Sequence, residues 1–101
     1  IRQNDRKGAI QIGEAEGRQV LQITEQIGEK KYVTYIYADE GRLKELFISA
    51  EKEPRLQDGT ALLELKNLTF EEEENGYLVI SLETVQNGVH RFLVRKRSDS
   101  L

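Results

Sequence analysis

Residues 68–97 read LTFEEEENGYLVISLETVQNGVHRFLVRKR. Apolar residues alternate with polar ones in three short runs, and a period of two puts one set of side chains on a buried face and the other in water. The apolar positions are Leu68, Phe70, Leu78, Ile80, Leu82, Phe92 and Val94. Asn75-Gly76 and Asn87-Gly88 separate the runs, and Asn-Gly supplies the positive φ angles that a tight hairpin turn needs. The stretch therefore predicts a three-stranded antiparallel meander.

The same signals continue upstream of this stretch. Alternation recurs over 9–14 and 18–27, β-branched and aromatic residues crowd 31–38, and a further apolar segment spans 43–48, whose inward face the pattern leaves open. Turn signals at Glu16-Gly17, Gly28 and Asp39-Glu40-Gly41 separate these segments. Residues 60–65 fit a short helical turn or a strand equally well. This spacing of strands and turns predicts one antiparallel sheet or two.

The length of 101 residues predicts one domain. We expect residues 1–7 to be the end of an N-terminal helix, 8–50 a first β meander, 51–60 a loop around the single proline, 61–97 a C-terminal β meander and 98–101 a polar tail. The predicted fold class is α+β of the pilin type, almost entirely antiparallel β in this chain, with about seven or eight short strands.

Composition narrows the functional classes. The net charge of −3 and the pI of about 5.3 argue against nucleic-acid binding, which favours a basic face. The chain has no cysteine, which excludes disulfides and thiolate metal sites. It also has no methionine, so we expect Ile1 to be an internal residue of a longer protein, preceded by a signal peptide, a membrane helix or another domain.

Four features of the sequence could indicate catalysis or ligand binding, but each favours a structural role. His90 is the only imidazole, and no nucleophile motif accompanies it. Glu71 to Glu74 offer carboxylates for Ca²⁺, but alternate strand residues point to opposite faces, which separates the ligands. Gly13 to Gly17 lack the lysine and helix of a phosphate loop and are typical of a hairpin. Tyr32, Tyr35 and Tyr37 fit core packing better than ligand stacking.

A small basic patch comes near the end of the chain. It consists of Arg91, Arg95, Lys96 and Arg97. We interpret it first as a source of solubility or a partner for the acidic strand across the sheet, and second as a contact for another protein. The sequence predicts no catalytic, cofactor-binding or metal-ligating residues, no cofactor and no enzymatic activity.

The order of these sequence segments resembles that of a known class of proteins. Residues 62–71, 75–82 and 92–94, ending in Arg97-Ser98, resemble the C-terminal sheet of type IV pilin-like proteins and pseudopilins. A more specific combination resembles an uncharacterised family of clostridial pilin-like proteins, a domain of unknown function, over nearly the whole chain. It comprises residues 2–6, Gly8-Ala9, 35–37, 41–47 and the final Arg97-Ser98.

The resemblance implies a protein anchored by one apolar N-terminal transmembrane helix that lies before Ile1, with the sheet displayed on the extracellular side of the cytoplasmic membrane. Its implied partners are other pilin-like subunits or secretion-apparatus proteins, and its implied role is that of a non-enzymatic subunit or accessory of a type IV pilus or type II secretion-like apparatus. The alternative is a freestanding β-sheet module that binds a small ligand or carbohydrate, with Tyr35, Tyr37 or Tyr77 as platforms. An enzyme would require His90 in a cleft beside a carboxylate and a hydroxyl.

Overall fold

The computed structural model describes residues 7–98, and its strands run antiparallel in one continuous meander. The strands are β1 (Lys7–Ala15), β2 (Arg18–Ile27), β3 (Lys30–Asp39), β4 (Arg42–Ser49), β5 (Thr60–Glu72), β6 (Tyr77–Thr84), β7 (Gly88–Arg95) and β8 (Arg97–Ser98). Their order across the sheet is β7-β6-β5-β4-β3-β2-β1-β8. Short 3₁₀ turns lie at Leu56–Asp58 and Glu74–Gly76. The prediction of an almost entirely antiparallel β fold is confirmed.

Several predicted boundaries differ from the observed ones. The helix end expected at residues 1–7 falls outside the described residues except for Lys7, which belongs to β1 opposite Gln26. Residues 60–65, which fitted a helical turn or a strand, are the first half of β5 because they pair with β4. Ser98, expected in a polar tail, belongs to β8 because its backbone pairs with Gly8.

The two Asn-Gly turns differ in the conformation of their asparagines. Between β5 and β6, Asn75 and Gly76 both have positive φ, at 75° and 79°, as predicted for a tight hairpin. Between β6 and β7, residues 85–87 form a three-residue loop and only Gly88 has a positive φ. There the Thr84 hydroxyl accepts a hydrogen bond from the Asn87 amide at 2.8 Å, which closes the loop without a left-handed asparagine.

The first core cluster lies on one face of β1–β4. Alternate residues of β3 point into it, and the connection between β4 and β5 covers it with Leu56. Its buried members are Ala15, Val20, Val33, Tyr35, Tyr37, Leu46 and Leu56. This face includes Leu46 and the adjoining Ile48 of β4, whose inward side the alternation pattern left open.

The second core cluster lies where β1–β3 pack against β5–β7. Leu21, Phe70 and Leu78 are buried, and half-buried apolar residues surround them. These are Ile10, Ile12, Ile23, Ile36, Leu68, Ile80 and Val94. The sheet therefore folds over onto itself, and β3 contributes to cores on both faces, which explains its crowding of apolar residues on alternate and adjacent positions.

A single residue joins the two ends of the sheet. The Lys96 amide donates to the Gly76 carbonyl at 2.8 Å, at the start of β6, and the Lys96 carbonyl accepts from the Ile10 amide in β1. Directly afterwards Arg97 pairs with Ala9. The meander therefore closes at one corner, through Lys96, although β7 itself does not pair with β1.

Candidate functional site

The tyrosines named as ligand platforms serve different roles. Tyr35 and Tyr37 are buried in the first core cluster, and burial raises the pKa of both phenols. Tyr77 is half-buried beneath the guanidinium of Arg95, which lies 6.0 Å from its ring centre. Tyr32 stacks on Phe47 with ring centres 5.3 Å apart. The core and cross-strand interpretation of the tyrosines is confirmed for Tyr32, Tyr35 and Tyr37.

Tyr37 also fixes the connection between β4 and β5. Its hydroxyl donates to the Leu56 carbonyl at 2.6 Å in a buried site. A Cβ at Gly59 would lie only 1.9 Å from the same hydroxyl oxygen, so any larger residue would force the Tyr37 side chain or the connection to shift. The contact holds Leu56 over the first core cluster.

A compact charge cluster lies at the turn between β3 and β4. Asp39 accepts from Arg18 at 2.8 Å and from Lys44 at 3.0 Å, and both Asp39 and Lys44 are largely shielded from solvent. The hydrogen bond from Lys44, followed by the positive charges of Lys44 and Arg18, lowers the pKa of Asp39 below its ordinary value despite partial desolvation. One carboxylate is shared by two cations, so the cluster ties β2 to β3 and β4.

The two features considered for catalysis and metal binding lie on exposed strand ends. His90 lies on β7 opposite Leu82, and its exposed side chain forms no hydrogen bond or ion pair within residues 7–98. Glu71 and Glu72 are consecutive in β5, and Glu74 follows in the turn. The described part of the chain brings together no group of three His, Cys, Asp or Glu side chains suited to a metal ion.

Gly13 to Gly17 form the hairpin that the sequence predicted. Gly13 lies within β1 against the Gln22 side chain, and Glu16 and Gly17 form the two-residue turn between Ala15 and Arg18.

The basic patch divides into three parts. Lys96 pairs with Glu72 at 3.3 Å, which confirms the interpretation of pairing with the acidic strand. Arg95 covers Tyr77, and Arg91 has no ion-pair partner among the described residues. A polar cleft of about 460 Å³ lies beside Lys96, between β1 and the turn that joins β5 to β6.

The most distinctive surface is the β7 edge, defined as Gly88–Arg95 on the side away from β6. Val89 and Leu93 are each 64% exposed, and Phe92 is 50% exposed. Alternation predicted Phe92 to be buried with Val94, and this prediction is wrong for Phe92. Val94 contacts the second core cluster, whereas Phe92 lies outside it on the terminal strand of the sheet.

Sequence reasoning missed the contacts between distant residues. Arg18 and Asp39 are 21 positions apart, and Tyr37 and Leu56 are 19 apart. Continuing the β2–β3 register from Leu21 opposite Ile36 places Arg18 opposite Asp39, so this contact needed only the register. The contact between Tyr37 and Leu56 joins a strand to the β4–β5 connection, which alternation does not place. No signal in the sequence marks the exposed edge, because alternation does not report which strand ends the sheet.

Comparison with known proteins places the chain at the level of family. No curated protein and no solved structure matches it significantly. A family model described as Domain of unknown function (DUF4860) matches residues 1–85, which covers β1 to β6 and most of the chain. The chain belongs to the family described as Domain of unknown function (DUF4860).

Proposed function

We propose that this domain is a non-enzymatic, extracellular module of a membrane-anchored pilin-like or pseudopilin-like protein. It serves as a subunit or accessory of a type IV pilus or type II secretion-like apparatus and contacts other subunits of that apparatus. The resemblance of residues 62–71, 75–82 and 92–94 to the C-terminal sheet of pilin-like proteins supports this assignment, as does the all-antiparallel meander.

One observation supports the proposal most strongly: the polar side chains that face the interior form contacts that hold the fold together. The Tyr37 hydroxyl holds the β4–β5 connection, Asp39 is neutralised by two cations, and the Thr84 hydroxyl closes a turn. These contacts stabilise the fold, whereas six of the eight exposed large apolar side chains among the described residues lie between Leu62 and Leu93. This distribution favours a rigid domain that contacts other proteins.

The geometry is suited to display from an anchor. β1 begins at Lys7 beside β8, and the turns after β1 and β3 lie at the other end of these strands. The nine residues of β1 span eight intervals of about 3.3 Å, or roughly 26 Å. A helix attached before β1 would hold the domain by one corner and leave the opposite turns projecting away. Residues 7–98 themselves include no helix capable of spanning a membrane.

Surface labelling of the full-length gene product in its own cells tests the proposal. The described domain offers Gln57→Cys as an exposed site, and Ala15→Cys as a buried control that reacts only after denaturation. We expect the Gln57→Cys protein to sediment with membranes and to react with a membrane-impermeant maleimide in intact cells. Recovery in the soluble fraction, or labelling only after lysis, would contradict the proposal.

One observation favours a second candidate, a module that binds carbohydrate or another small ligand. Phe47 stacks on Tyr32 yet remains 54% exposed, so the pair presents an aromatic surface. Titration with a panel of soluble oligosaccharides tests it: saturable binding lost in Phe47→Ala would support this function. Equal binding by the variant would reject it.

A further inference from the structure

The β7 edge has the geometry of an unoccupied strand-pairing site. β7 pairs with β6 along its full length, from Thr84 opposite Gly88 to Tyr77 opposite Arg95. On its other side no described strand pairs with β7, because the chain leaves at Lys96 to pair with β1. A strand edge of this kind presents backbone donors and acceptors to an added strand.

The side chains of this edge are apolar on both faces of the sheet. Phe92 shares its face with Val94 and the second core cluster, so an added strand on this face would extend that cluster. Val89 and Leu93 point to the opposite face and are both more than half exposed. An added strand would therefore bury apolar surface on two sides, while its backbone completes the ladder.

The positive charges on the β7 edge indicate that its partner carries negative charges. Gly88–Arg95 contains Arg91 and Arg95 and no carboxylate, and both arginines lie on the face of Leu93. Arg91 has no ion-pair partner among residues 7–98. A carboxylate opposite each arginine would give two favourable cross-strand pairs.

These charges also disfavour a second copy of β7 as the occupant. If two copies paired antiparallel about Phe92, Arg91 would lie diagonal to both Arg91 and Arg95 of the other copy, within roughly 8 Å. Centring the pair on Leu93 would place Arg91 directly opposite Arg95. Like charges at these distances are destabilising, so the edge is better suited to an acidic strand than to itself.

We propose that the β7 edge binds an extended acidic segment of another protein by strand addition. The segment carries carboxylates opposite Arg91 and Arg95, four residues apart, with apolar residues between them opposite Phe92 and Val94. The motif is acidic, apolar, any residue, apolar, acidic. This inference goes beyond the proposed anchoring and does not depend on it.

Titration of the ¹⁵N-labelled protein with a short peptide tests the inference. The probe is the acetylated and amidated peptide Ser-Glu-Val-Thr-Val-Glu-Ser. We expect saturable shifts of the amide signals of residues 88–95, with much smaller changes in β2 and β3. Arg91→Glu should weaken binding roughly tenfold, because one attraction becomes a repulsion. Arg55→Glu, an exposed change of equal charge on the β4–β5 connection, should leave it unchanged.

Two control peptides separate strand addition from simple charge attraction. Lysine in place of both glutamates should abolish binding through repulsion, and proline in place of the central threonine should weaken it by disrupting the extended backbone pairing. Equal binding of the glutamate and lysine peptides, shifts centred outside residues 88–95, or no saturable shift at millimolar peptide would each overturn the inference. A dimer in sedimentation that Arg91→Glu strengthens would also overturn it, because this change relieves the repulsion between two copies of β7 and a second copy would then occupy the edge.

Discussion

At the scale of single residues, the tightest constraint is the contact between Tyr37 and Gly59. A Cβ at Gly59 would overlap the Tyr37 hydroxyl, whose oxygen would be 1.9 Å away. We expect Gly59→Ala to lower the free energy of unfolding by about 3 kcal/mol, at the upper end of overpacking effects. Urea denaturation followed by circular dichroism measures the change.

The same contact provides its own control. Tyr37→Phe removes the overlapping oxygen and its buried hydrogen bond to the Leu56 carbonyl, which keeps the Gly59 amide as a donor at 3.3 Å, so the cost is about 1 kcal/mol. In the Tyr37→Phe background, Gly59→Ala should cost clearly less than in the wild type, since the nearest ring carbon is 3.0 Å away. Strictly additive losses would show that the hydroxyl is not the obstacle.

Asp39 makes the stability depend on pH in the acid range. Its pKa is lower in the folded protein than its ordinary value of 3.8, so folding favours the carboxylate. The contribution is fully present above that ordinary value and is lost as the pH falls through the folded pKa. Urea midpoints should therefore fall as the pH drops from neutral to below 3.8, and Asp39→Asn should flatten part of this dependence. Asp58→Asn, at an exposed aspartate, is the matched control; equal flattening by both would contradict the role of Asp39.

At the scale of elements, two turns place a glutamate in the left-handed region. Glu40 has φ 56° and Glu16 has φ 53°, each followed by a glycine with positive φ. Asparagine tolerates this conformation better than glutamate, so Glu40→Asn should raise the free energy of unfolding by about 0.5–1 kcal/mol. Glu16→Asn should gain less, because the Glu16 carboxylate accepts a bond from the Leu56 amide at 3.4 Å. Thermal denaturation compares them, and the reverse ranking would contradict this account of the turns.

The elements were the most predictable part of the fold. Alternation at Ile10 and Ile12, or at Leu78 and Ile80, correctly indicated the face that joins the second core cluster. It failed at Phe92 because alternation reports which face a side chain takes and not whether another layer covers that face. The exposed β7 edge therefore became visible only in the folded arrangement.

At the scale of the whole molecule, the closure of the sheet had no signal in the sequence. Lys96 joins β6 and β1 through its backbone amide and carbonyl, and backbone groups are the same in every non-proline residue. Side-chain patterning therefore predicted the meander but not the meeting of its ends. For the same reason the sequence pattern predicts a polar tail at Ser98, whereas the backbone of Ser98 pairs with Gly8.

The closure also limits which edges remain open. Pairing of β8 covers Gly8 and Ala9 of β1, while β7 keeps one side unpaired. The closure therefore also creates the proposed binding edge. Because the chain leaves β7 at Lys96 to pair with β1, the β7 edge stays unpaired and can bind an acidic partner.

The most direct test of this account is the NMR spectrum of the protein around Lys96. The structure predicts cross-strand nuclear Overhauser effects between Ala9 and Arg97, and slow hydrogen exchange for the amides of Ile10 and Lys96, which donate to Lys96 and Gly76. Fast exchange of both amides, with no contact between Ala9 and Arg97, would contradict the closed meander.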